Sequence, residues 1–162
     1  MDVTRDRSER AAELFQQAYR AQMQGDFNNA VRLYRESIQL HPTAEAYTFL
    51  GWTYSFLNRY EEAIEECKNA IATDPDFGNP YNDIGSYLVK LGKLDEAIPW
   101  LERAIVAKRY EPRHYPHMNL GRIYLAKGDQ LRAAREFGKA LELEPRYLPA
   151  RIALAALSAQ LN

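Results

Sequence analysis

The chain is poor in the residues that carry most covalent and metal chemistry. Among 162 residues there is a single cysteine, Cys67, and there are three histidines. A lone cysteine excludes an intramolecular disulfide and a thiolate metal cluster within one chain. No apolar run approaches the roughly 20 residues needed to cross a bilayer, so no membrane partner is expected. Met1 to Arg10 are mostly polar and charged and lack the apolar stretch of a secretory leader. Together these features point to a reducing compartment, and a cytoplasmic location is the expectation. The formal net charge of −1 lacks the basic excess of a dedicated nucleic-acid binder. A glycine-rich phosphate loop, a GxSxG elbow and paired carboxylates in a plausible cleft are all missing, so neither an enzyme nor a cofactor is expected.

What the chain has instead is internal repetition. One segment reads Tyr47-x-x-Leu50-Gly51-x-x-Tyr54, then Ala63-x-x-x-Cys67, then Pro75. Another reads His117-x-x-Leu120-Gly121-x-x-Tyr124, then Ala133-x-x-x-Phe137, then Pro145. Between them lie Tyr81-x-x-Ile84-Gly85-x-x-Leu88 and Ala97-x-x-x-Leu101, and a looser first copy runs Leu14, Ala18, Ala21, Ala30-x-x-x-Tyr34, Pro42. The small residues Ala18, Gly51, Gly85 and Gly121 step by 33, 34 and 36, and Ala30, Ala63, Ala97 and Ala133 step by the same intervals. Two markers drifting together mean that whole units are repeated.

The pattern resembles the tetratricopeptide repeat, a unit of about 34 residues with W-x-x-L-G-x-x-Y, A-x-x-x-F and a closing proline. The resemblance implies an all-α, right-handed solenoid of four helix-turn-helix units with a C-terminal capping helix. Residues 1–10 would extend the first helix, residues 11–147 would hold the units (11–43, 44–77, 78–113 and 114–147), and 148–162 would form the cap. The residue types have physical reasons. Apolar positions at three- and four-residue spacing, as in Ala97-Ile98-Leu101-Ala104-Ile105, give each helix one buried face. Small residues such as Gly51 and Ala63 allow close helix approach. Gly25, Gly92, Gly128 and Asn58 fall where a helix must stop in a left-handed conformation.

The third unit departs from the pattern. Its proline comes late, at Pro112, after Lys108-Arg109-Tyr110-Glu111, which amounts to two inserted residues. A longer connection and a loop with a specific contact both fit. Pro99 lies near the first turn of its helix, where proline is tolerated. The final stretch, Leu148 to Leu161, is unusually apolar for a cap. Either the native chain continues past it or two copies pack there, through Ile152, Ala156 and Leu157, as a homodimer.

In this family the first helices of successive units line a concave groove. The resemblance therefore directs Phe15, Tyr19 and Met23 of the first unit into it, then Thr48, Phe49, Trp52 and Phe56 of the second. The third would add Asn79, Asn82, Asp83 and Ser86, and the fourth Tyr115, Met118, Asn119 and Arg122. Aromatic residues are enriched among interface anchors, which makes Trp52 and Phe56 informative; interhelical packing of Phe15, Phe49 and Phe56 is the competing reading. Co-chaperones of this family clamp heat-shock-protein C-terminal carboxylates with lysine, arginine and asparagine. Here the matching positions hold Phe15, Tyr19, Phe49, Asn79 and Asp83, or Thr48, Trp52, Asp83, Tyr115 and Asn119 one unit along. Neither set is a carboxylate clamp, and Asp83 would repel one. His114 and His117 are spaced for a shared helix face but have no third ligand nearby, so no metal is expected. The leading functional expectation is an adaptor that holds a segment of another protein. A self-associating module and a regulatory piece of a larger protein are the alternatives.

Overall fold

A computed structural model describes residues 2–161; Met1 and Asn162, the outermost residues of the expected extension and cap, lie outside it. The described residues form nine helices: α1 (Val3–Met23), α2 (Phe27–Leu40), α3 (Ala44–Phe56), α4 (Tyr60–Thr73), α5 (Asn79–Lys90), α6 (Leu94–Val106), α7 (His114–Ala126), α8 (Gln130–Leu143) and α9 (Leu148–Leu161). Consecutive helices pack as antiparallel pairs, each pair resting on the next, with α9 covering α8. This is an all-α solenoid.

Local chemistry sets the helix ends. Asp2, Thr43 and Asp129 accept hydrogen bonds from the amides of Thr4, Ala46 and Arg132, satisfying first-turn donors that have no partner within the helix. Within each pair the turn passes through one left-handed residue: Gly25 at φ 79°, Asn58 at 58°, Gly92 at 75° and Gly128 at 81°. The amide of the residue immediately before each following helix then bonds back to the preceding one, as Lys93 N–H does to the Leu88 carbonyl at 2.9 Å.

The small-residue slots hold the pairs together at close range. A methyl group on Gly85 would sit 2.4 Å from the Leu101 side chain, and one on Gly121 would sit 2.4 Å from the Phe137 ring. At Gly51 the obstacle is the Ala63 carbonyl oxygen, 2.9 Å away, with Cys67 Sγ at 3.2 Å. Cys67 is fully buried there, and burial pushes its thiol pKa well up, as befits a packing residue.

The connection between α6 and α7 is built into the fold. Arg109 N–H donates to the Asp76 carbonyl at 3.0 Å, and Gly78 N–H donates to the Arg109 carbonyl at 2.9 Å. Tyr110 is buried against Gly78, where a methyl group would lie 2.4 Å from its Cβ. Arg113 donates to the carbonyls of Ile105 and Ala107, both at 2.7 Å, and so satisfies the open end of α6. The connection thus ties the end of the third unit back to the α4–α5 turn that precedes it.

The cap corrects one sequence expectation. Leu157 does not face outward: with Ala150 it is buried against Phe137, Ala140 and Met118, because α9 turns this edge onto α8. Ile152 and Ala156 lie on the exposed face, together with Leu148.

Candidate functional site

Helix α5 touches both α3 and α7, and the three form the floor of a trough. Two adjoining cavities open along it, of about 310 and 440 Å³, and both are lined by Trp52, Asn82 and Asp83. The smaller one is completed by Thr48, Phe49, Asn79, Tyr110, Pro112 and Tyr115, the larger by Ser55, Phe56, Asn58, Tyr60, Ser86, Tyr87 and Lys90.

One wall is a chain of aromatic rings. Phe15 meets Phe49 edge-on at 5.2 Å, Phe49 meets Trp52 at 5.7 Å, and Trp52 meets Phe56 at 5.2 Å. Phe27 of α2 stacks on the outer side of Phe56 at 5.0 Å. Phe15 and Phe49 are half-buried against the core residues around Tyr34, so these two serve interhelical packing first. Trp52 is half-buried at the edge of that packing, whereas Tyr19, Phe56 and Tyr115 are exposed. The rings behind Trp52 hold it in place and fix the shape of this surface.

The other wall is polar. Asn119 donates to Asn82 Oδ1 at 3.0 Å, joining α7 to α5, and Arg122 on the exposed side reaches Asn119 at 3.4 Å. Met118, expected in the groove, turns the other way and is buried beside Phe137, since it is the apolar contact between α7 and the cap. Thr48 lines the smaller cavity, but its hydroxyl donates to the Ala44 carbonyl at 2.7 Å and is occupied.

Asp83 sits deepest among the charged groups of the trough while keeping part of its surface open to it. Burial alone pushes its carboxyl pKa up to about 7, with no cation or donor offsetting the shift. Glu136 is the instructive contrast. Burial opposes its ionisation too, yet hydrogen bonds from His117 Nδ1 at 2.7 Å and Lys139 Nζ at 3.1 Å outweigh this and hold its pKa below the usual value. His117 is thereby committed to a structural pair, and His114 packs between the rings of Tyr115 and Tyr147. Among the described residues no cluster of three or more His, Cys, Asp or Glu is arranged to hold a metal ion.

Tyr110 and Pro112 were not anticipated as site residues. They reach the trough only because the α6–α7 connection folds back onto Gly78, and the late proline was the sole sequence signal.

Two models described as tetratricopeptide repeat match residues 44–77 and 82–147, more than half of the chain. The chain belongs to the tetratricopeptide-repeat family. Such repeats are in general scaffolds for protein interaction rather than catalysts. Among curated relatives, small glutamine-rich tetratricopeptide repeat-containing protein 2 of Mycosarcoma maydis is 26% identical over 97 residues, covering 59% of this chain and 28% of that protein. The human protein O-mannosyl-transferase TMTC2 is 34% identical over 100 residues, covering 59% of this chain and 12% of that protein. The chain thus spans well under a third of these relatives' length. Among solved structures, that of Pseudomonas aeruginosa pilF superposes with a TM-score of 0.88 at 23% identity, over 96% of this chain and 70% of that one. YrrB, a repeat protein described as having an unusual peptide-binding site, gives 0.70 at 22% identity, over 99% and 84%. At such identities the likeness concerns the fold. No described helix is long and apolar enough to cross a membrane.

Proposed function

We propose that this chain is a scaffold whose α3–α5–α7 trough holds an extended segment of a partner protein. The carrying observation is that two cavities share Trp52, Asn82 and Asp83, so an anchoring wall and a row of amides face one continuous channel. Rigid aromatics supply apolar contact area at low entropic cost, and side-chain amides can pair with a peptide backbone. Trp52 and Phe56 are the principal anchors, with Tyr19 and Tyr115 at the two ends and Asn82, Asp83, Asn119 and Arg122 as polar contacts. Phe15 and Phe49 support these from behind, whereas Met118 belongs to the contact with the cap. The arrangement does not suit a C-terminal carboxylate clamp, because the central charge is negative. We assign no catalytic role and no cofactor.

The test is selection of random heptapeptides displayed on phage against the native protein and a Trp52→Glu, Phe56→Glu variant shown by circular dichroism to remain helical. Sequences sharing an apolar anchor that bind only the native protein support the reading. Equal selection on both proteins refutes it.

A second reading concerns self-association through α9. Leu148 and Ile152 are each 59% exposed on its outer face. Sedimentation equilibrium decides it: a dimer dispersed by Ile152→Glu supports it, and a monomer at high protein concentration removes it. The chain's short coverage of its relatives also suits a module working within a larger protein.

A further inference from the structure

We propose that Asp83 is the receptor for a lysine or arginine side chain of the bound segment, so that the partner's recognition motif pairs a cation with an apolar anchor. This rests on the trough being the binding surface. Asp83 is the sole acidic residue lining either cavity, and it belongs to both. Trp52, Tyr110 and Tyr115 line the smaller cavity with it, and ring faces attract a cation already drawn by the carboxylate. Asn79 and Asn82 can accept from the remaining donors of an ammonium or guanidinium.

The state of the carboxylate supports the assignment. The buried carboxylate Glu136 is complemented within the fold, receiving His117 and Lys139. Asp83 has no such complement, and its raised pKa has burial as its only cause. Lys90 lines the larger cavity but does not offset that shift. An incoming cation would supply what the fold leaves out, and an acidic segment would be repelled.

The ionisable groups facing Asp83 are Cys67 of α4, Tyr87 of α5 and Tyr110 of the α6–α7 connection, with Tyr115 of α7 and Lys90 of α5 farther along the cavities. Burial pushes Cys67, Tyr87 and Tyr110 upward, away from neutrality. Asp83 is therefore the group expected to change the trough's charge as pH falls below about 7.

The experiment uses synthetic heptapeptide pools, acetylated and amidated, with the central residue fixed as arginine, lysine, citrulline or glutamate and the other positions random. Labelled protein is titrated with each pool, and the Trp52 indole N–H resonance reports occupancy of the trough. Arginine and lysine pools should bind at least about tenfold more tightly than the citrulline and glutamate pools near pH 8. That preference should largely vanish in Asp83→Asn, and near pH 5.5 in the native protein, where the carboxyl is protonated. If all pools shift Trp52 equally, the trough binds peptides but Asp83 is not a cation receptor. If no pool shifts Trp52, the trough reading fails and this inference with it. The citrulline comparison needs no variant, so a misfolded Asp83→Asn leaves the test decisive.

Discussion

Replacing Asp83 by asparagine should stabilise the fold, and only above acidic pH. Burial pushes the folded carboxyl up to about 7, against 3.8 for an aspartate free in solution. Between those values the unfolded chain has released the proton while the folded chain retains it, so stability falls as pH rises through this window and levels off above it. About three pH units at ~1.4 kcal/mol each set an upper limit of ~4 kcal/mol. Because the carboxylate is partly exposed and lines an open trough, about half of that, ~2 kcal/mol, is the working figure. Asparagine has the same shape and no charge, so it avoids this penalty. For a chain of this size ~2 kcal/mol corresponds to a Tm rise of about 4–8 °C. Thermal melts of both proteins near pH 4 and pH 8 make the comparison, since other titrating groups cancel in the difference. The variant should match the native protein near pH 4 and exceed it near pH 8. A pH-independent difference, or a loss of stability near pH 8, would refute the claim that Asp83 is uncomplemented.

Three further outcomes test the packing argument. Glu136→Gln weakens the pairs with His117 and Lys139 and should cost about 1–2 kcal/mol near neutral pH. Since the Glu136 pKa is lowered, this deficit should fade in urea melts as the pH falls through the folded value, below that of a free glutamate. Gly85→Ala should destabilise by about 1–3 kcal/mol in chemical denaturation although alanine favours helix, because its methyl would strike the buried Leu101. Leu157→Ala should cost about 2–5 kcal/mol, against under about 0.5 kcal/mol for Ile152→Ala in the monomer. Equal losses for the last two would mean that α9 is rotated from the position described.

The parts of this molecule legible in its sequence are those the repeat must do identically in every unit. Ala18, Gly51, Gly85 and Gly121 recur because each sits where one helix meets its partner at short range, and a periodic steric demand leaves a periodic residue. The left-handed turn residues are legible for the same reason, and Asn58 could be placed beside three glycines because few other side chains accept that backbone. Orientation about a helix axis was harder. Met118 and Asn119 are adjacent, yet one is core and the other bonds Asn82 at the trough; a rotation of about 100° per residue separates those fates. The direction of Leu157 is hidden likewise, because α9 is largely small and apolar, with only Arg151, Ser158 and Gln160 as exposed polar residues beyond its first turn. Tyr110 and Pro112 depend on a tertiary contact with Gly78 that no local pattern announces.

The contrast between two carboxylates carries the argument from fold to function. Glu136 and Asp83 are each partly withdrawn from water, and withdrawal alone would raise both pKa values. At Glu136 the fold supplies His117 and Lys139, and the shift reverses; that charge belongs to the architecture. At Asp83 the surrounding helices supply rings and amides but no cation, and the shift stands. A scaffold that needed only to pack would tolerate asparagine there at no loss. The unsatisfied acid is accounted for if its complement arrives with the partner, since the free energy lost in leaving it unpaired is then recovered on binding. Selectivity follows from the same arrangement: a segment with the apolar anchor but without the cation leaves Asp83 unpaired, whereas the correct segment relieves it.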